Sequence, residues 1–289
     1  MEIIIKNKEL QAKINSFGAE LVSLVDLEKN KEYVWQKDAK YWAKSSPILF
    51  PFIGALKNSK YSYNGKEYEI TSRHGFARDN EFKVLYKNEE EVEFLFEANE
   101  ETKRIYPFDF KLYLKYFLKG KTLEIQYRVE NLEDEKMYFS LGAHPAFSIP
   151  LDGGDFSDYY IEFEKEETGE TLTLNGMLID SSKILKGFDG KRIILSKDRF
   201  INDAMIVENP TSKKVYLKND KNGYNLGFSF DNFHYIAFWN VPGAEFICFE
   251  PWDGISDYDN STGNLKEKKG IEVLKEKETY IRCLKIEIL

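Results

Sequence analysis

Cysteine is nearly missing from this chain: only Cys248 and Cys283 occur in 289 residues, both inside apolar, strand-like stretches. That usage fits reduced core thiols and argues against a disulfide framework or a metal knuckle. Long apolar runs are missing too. No segment approaches the roughly 20 apolar residues of a membrane span. The opening MEIIIKNKEL carries charges within its first few residues and no run of signal-peptide length, so a cytoplasmic protein is expected. There is no excess of positive charge. With 41 Lys and Arg against 49 Asp and Glu the formal charge is −8, which repels phosphate backbones and anionic lipid and excludes nucleic acid and membrane surfaces as partners. Neutral small solutes remain. Helical periodicity is scarce, with only Lys37 to Lys44 expected to make a turn or two before Ser45, Ser46 and Pro47 end it. Strand-helix alternation, Pro- or Ser-rich linkers, low-complexity runs and solenoid repeats are all absent.

What is present is alternation with period two. Between Asp109 and Leu132, Phe110, Leu112 and Leu114 share one face, a Lys-Gly-Lys turn follows, and Leu123, Ile125 and Tyr127 resume the pattern, which predicts a hairpin. Asn64-Gly65 stands between two aromatic-rich arms (Tyr61 to Ile70), the dipeptide favoured where both central turn residues need positive φ. Further strands are expected at Glu91 to Ala98, Lys214 to Asp220, His234 to Val241, Glu245 to Glu250 and Thr279 to Leu289. The reading is an all-β fold, one large antiparallel β-sandwich forming a single domain over residues 1–289, with a cupin-like barrel as the alternative.

Of the three histidines, two interrupt the strand pattern. His74 is followed by Gly75, which lets backbone or ligand approach closely, and His144 is flanked by Gly142 and Pro145 at a chain reversal. Either one alone also fits a hydrogen-bonded structural histidine, the role expected of His234 inside a regular strand. Glu250 is expected to end a strand, against Pro251 and Trp252; a carboxylate beside an aromatic wall has a raised pKa, as a general base near neutrality requires. Trp239 and Trp252 read either as core or as a flat platform for the C–H face of a pyranose. Asp203, in an Asn-Asp pair, reads locally as a turn residue. Asp152, Asp155 and Asp158 invite a calcium reading, but their spacing is not that of an EF-hand, and the loop is expected to be solvated.

These segments resemble a known family. HGFAR at His74 to Arg78, GAHPAF at Gly142 to Phe147, NDAMI at Asn202 to Ile206 and EPW at Glu250 to Trp252 are similar to the motifs of the aldose 1-epimerases, or galactose mutarotases, closest to the divergent branch associated with lactose operons. FGAEL at Phe17 to Leu21 and LFPFIG at Leu49 to Gly54 extend the likeness over nearly the whole chain, in order. The resemblance implies a β-supersandwich with an open cleft and interconversion of the α and β anomers of a free aldose without cofactor or metal. It implies Glu250 as catalytic base, His144 as catalytic acid, and His74 and Asp203 as substrate-orienting groups. The family's early arginine has no counterpart in Gly54 to Tyr61, where Lys57, Lys60 or an incoming Arg78 are the substitutes to consider. Ring opening needs one proton taken from the anomeric hydroxyl and one delivered to the ring oxygen, so a base and an acid are expected on opposite sides of a hexose-sized groove. Three rivals stand beside this reading: a two-histidine, one-carboxylate metal site, a non-catalytic sugar-binding protein, and a mutarotase for hexose phosphates using Arg73 and Arg78 as anion contacts.

Overall fold

A computed structural model describes residues 1–150, 154–221 and 224–289; Asp152 of the Asp-rich loop therefore lies outside the described residues. Two large antiparallel sheets dominate. The first has the spatial order Arg192–Ile194, Tyr160–Phe163, Lys214–Asn219, Tyr224–Ser229, Thr279–Ile288, Thr122–Asn131, Phe110–Lys119, Glu91–Glu97 and Lys83–Lys87. The second runs Leu178–Lys186, Glu170–Asn175, Met205–Glu208, Tyr235–Trp239, Phe246–Asp253, Leu141–Ala143 and Ile48–Leu49, with Ala146–Ser148 also paired to Phe246–Asp253. Residues Glu2 to Glu32 form a separate four-stranded sheet.

Period-two alternation produces these layers as expected. Thr122–Asn131 buries every second residue, and its partner Phe110–Lys119 pairs with it from Phe110 opposite Asn131 to Lys119 opposite Thr122. The hairpin at Asn64-Gly65 closes with φ of +49° and +78°. Between the sheets lies an aromatic core. Phe238 and Phe249 of the second sheet meet Phe163 and Phe228 of the first at centroid distances of 5.8 and 5.5 Å, edge to face. Each fully buried phenyl ring contributes about 2 kcal/mol, so this interdigitation is what holds the two layers in register.

Lys37 to Lys44 makes a single turn, as expected, in which the N–H groups of Tyr41 and Trp42 both donate to the Asp38 carbonyl, and an α-helix that was not expected lies at Glu100–Ile105, capped by Asn99. The segment from Lys37 to Ser46 is held open by Glu20, a buried carboxylate that accepts from the Ser45 and Ser46 N–H groups (2.6 and 3.2 Å) and from Lys37 Nζ (2.8 Å). Two expectations, at His234 and Glu250, need correction. His234 stands one residue ahead of its strand, with its half-exposed ring 2.7 Å from Asp253 Oδ1 and 3.2 Å from Glu272 Oε1.

Glu250 does not end its strand, which continues through Pro251 and Trp252 to Asp253. Proline is tolerated there for a geometric reason. The Phe249 N–H points to the Pro145 carbonyl, so the N–H that residue 251 would carry, two positions on, points the same way. On that side the neighbouring strand is interrupted between Ala143 and Ala146, and no ladder bond is lost.

Gly75 has φ of +71°, and a Cβ there would lie 2.3 Å from the Phe50 carbonyl oxygen. Gly75→Ala is therefore expected to destabilise the protein by about 2–3 kcal/mol, read as a fall in the urea midpoint.

Candidate active site

The strand Phe246–Asp253 is buried along its whole length, so both of its faces are packed. Its odd positions face the core: Phe249 packs on Phe228, and Asp253 accepts from Tyr280 Oη and Arg282 Nε of the opposite sheet, each at 2.6 Å. Its even positions turn to the other side, where Glu250 and Trp252 line a cleft of about 190 Å³ and Phe246 stacks on Trp42 (5.6 Å). His144 projects from the interruption between Leu141–Ala143 and Ala146–Ser148, the two short strands flanking the same strand. This places His144 Nε2 3.1 Å from Glu250 Oε2, with both groups buried.

His74 enters from the other wall, with φ of +65°. Its backbone N–H donates to the Gly54 carbonyl (2.8 Å), and the Gly54 N–H donates to His74 Nδ1 (3.1 Å). An Nδ1 that accepts leaves the proton on Nε2, so His74 is a neutral hydrogen-bond donor. Asp203, with φ of +76°, sits in the turn its Asn-Asp pair implies, just before Met205–Glu208, with Oδ2 3.6 Å from Arg73. All the residues singled out from sequence, His74, Arg78, His144, Asp203, Trp239, Glu250 and Trp252, line this one cleft.

Two further residues complete it. Trp42 lies over His144 (4.8 Å between centroids, 31° between planes) and meets Trp239 edge to face; it was hidden in the segment expected to be helical. Arg73, considered only as an anion contact, lines the cleft beside Arg78. Lys57 and Lys60 do not, since their ammonium groups bond the Ser261 carbonyl and Glu67. Where this chain lacks an early arginine, the guanidinium groups of the cleft therefore come from Arg73 and Arg78. Asp158 is held by Lys221 in a short 3₁₀ turn with Asp155, away from the cleft.

Burial sets the protonation of the site. It pushes the Glu250 carboxyl well above the usual range, with Asp203 adding in the same direction and Arg73 opposing. Burial pushes His144 down to about 3, helped by Arg78 and Arg73, and drives His74 well below its ordinary value, helped by His144 and the same arginines. Burial thus favours the neutral form of each group, a carboxyl and an imidazole in direct contact, which amount to one acid and one base. The expected geometry of a base and an acid across an open groove is replaced by direct contact.

A family model described as aldose 1-epimerase matches residues 1–280. The protein LacX of Lactococcus lactis subsp. lactis, plasmid-encoded, is 34% identical over 281 residues, 93% of each chain. Among solved structures, a galactose mutarotase related enzyme from Lactobacillus acidophilus superposes with a TM-score of 0.94 at 32% identity, covering 100% of this chain and 97% of that one. A galactose mutarotase-like protein from Lactobacillus casei superposes at 0.93 with 32% identity and full coverage of both.

The signs of the two shifts give opposite pH limbs. A histidine near 3 when folded and 6.5 when unfolded contributes stability above pH 6.5 that is lost as pH falls toward 3, because the unfolded chain takes up the proton first. A carboxyl raised above 4.5 loses stability as pH rises beyond 4.5, because the unfolded chain releases its proton first. His144→Asn should flatten the acid limb and Glu250→Gln the alkaline limb, each by up to about 1.4 kcal/mol per pH unit, in urea midpoints measured from pH 3.5 to 8.

Proposed function

The chain belongs to the aldose 1-epimerase family, and on that premise we propose that it interconverts the α and β anomers of a free aldose. The observation that carries this reading is the buried Glu250–His144 contact of 3.1 Å inside a cleft walled by tryptophans. In the forward step the carboxylate form of Glu250 takes the proton of the anomeric hydroxyl. The C1–O5 bond then breaks with its electron pair going to O5, and the imidazolium form of His144 supplies a proton there. Rotation about C1–C2 and the reverse transfers close the ring as the other anomer. The proton count returns to its starting value, so no redox partner or cofactor enters the balance.

The pair's single proton suits this chemistry whichever atom carries it at rest. As carboxylic acid and neutral imidazole, the same two groups act with roles exchanged, the acid delivering to O5 and the imidazole receiving from O1. His74, a donor through Nε2, is suited to hydrogen-bond the oxygen that gains charge, and Asp203 to accept from a neighbouring hydroxyl. Trp239, Trp252 and Trp42 offer apolar faces to the sugar C–H groups. Arg78 and Arg73 offer guanidinium donors to further hydroxyls.

Glu250→Gln and His144→Asn are each expected to slow α-glucose or α-galactose mutarotation by at least about tenfold, and up to 10⁴-fold, in polarimetry with the fold intact by circular dichroism. Unchanged rates in both would remove the mechanism, and sugar binding by calorimetry without any acceleration would leave a sugar-binding protein.

One observation favours a phosphorylated substrate as a second reading: Arg73 and Arg78 both line the cleft, and the Nε of each is buried without a hydrogen-bond partner. If a phosphate is their ligand, glucose 6-phosphate should compete with glucose at least about tenfold more tightly than glucose itself, and Arg78→Lys should abolish that preference.

A further inference from the structure

One nucleophile stands beside the pair with no part in this chemistry. Cys248 is two residues before Glu250 on the same strand, hence on the same face, and is fully buried. One ligand atom each from Cys248, Glu250 and His144 lie within 4.8 Å of one another. His144 Nδ1 is buried and has no hydrogen-bond partner. We propose that His144, Cys248 and Glu250 form an inhibitory site for a thiophilic divalent cation of the zinc class, whose occupancy disables the proton-transfer pair.

The donor set is the first reason. Nitrogen, sulfur and oxygen ligands together suit zinc, whereas magnesium and calcium take oxygen alone. The spacing is the second. Tetrahedral zinc with bonds of about 2.0–2.3 Å needs ligand atoms roughly 3.3–3.7 Å apart. The 3.1 Å between His144 Nε2 and Glu250 Oε2 is already close to that, and Cys248 has to close by at most about 1.5 Å. Charge is the third. A dication, one carboxylate and one thiolate sum to zero, so the complex is neutral in a position where a net charge is costly. On binding, the Cys248 thiol proton and any proton on the Glu250 carboxyl or His144 nitrogen that ligates leave to solvent, and the fourth position is left for water. The metal then occupies the place of those protons, and neither Glu250 nor His144 can transfer one.

The inhibition readout rests on the proposed mutarotation, whereas metal binding is read independently. The EDTA-treated full-length protein is titrated with zinc chloride in the polarimetric assay and with cobalt(II) in an absorption cell. Expected are inhibition by micromolar zinc that EDTA reverses, no inhibition by magnesium, and a near-ultraviolet sulfur-to-cobalt charge-transfer band. Cys248→Ser and Cys248→Ala should keep the mutarotation rate, require at least about tenfold more zinc for inhibition, and lack the band. Cys283→Ser, which removes the chain's other thiol, should leave zinc sensitivity and the band unchanged. Zinc inhibiting the Cys248 variants as it does the wild type, or cobalt binding without a sulfur band, overturns the proposal, and the wild-type spectrum decides even if those variants fail to fold. A cobalt band in a protein that does not accelerate mutarotation sinks the proposed activity and leaves the metal site standing.

Discussion

Everything in this molecule is arranged around a carboxyl and an imidazole kept out of water at hydrogen-bonding distance. In bulk solvent the two would titrate separately, near their ordinary values, and at neutral pH no shared proton would be stored between them. Burial disfavours both charged forms and pushes the carboxyl up and the imidazole down. The supporting structure serves that condition. Trp42 and Trp239 pack on His144, while Phe249 and Asp253 fix the opposite face of the strand that carries Glu250.

The electrostatics of the cleft run against those of the chain as a whole. The chain carries −8, yet Arg73 and Arg78 line the cleft with, among the described residues, only the carboxylates of Asp203 and Asp79 within 4 Å of their guanidinium groups. Arg73 opposes Asp203 in setting the Glu250 carboxyl, and both arginines disfavour a protonated histidine at either position. Local charge at the cleft thus differs in sign from the net charge of the chain.

Much of this was legible before any coordinates. Strands such as Thr122–Asn131 announce themselves because one face is buried and the other is not, so hydrophobicity alternates. The strand of Glu250 hides its extent for the opposite reason: both faces are buried, and Pro251, a breaker in any ordinary central strand, falls where the neighbouring strand is interrupted by His144 and Pro145. That pairing joins residues about a hundred positions apart and has no local signal. His74, His144, Asp203 and Glu250 stood out because they sit in short motifs at breaks in the pattern. Trp42 did not, because its segment is tied at both ends to the carboxylate of Glu20, more than twenty residues earlier, a contact with no local signal. Arg73 was overshadowed by the motif that begins one residue later.

The Glu20 anchor has a consequence for how the chain tolerates trimming. Glu20 begins the third strand of the small amino-terminal sheet, and its carboxylate holds the two serines that follow the Trp42 segment. The cover over His144 is thus suspended from the first thirty residues. They act as the gable from which one edge of the cleft's roof hangs, so trimming them would loosen the Trp42 cover even with every residue of the cleft itself left untouched.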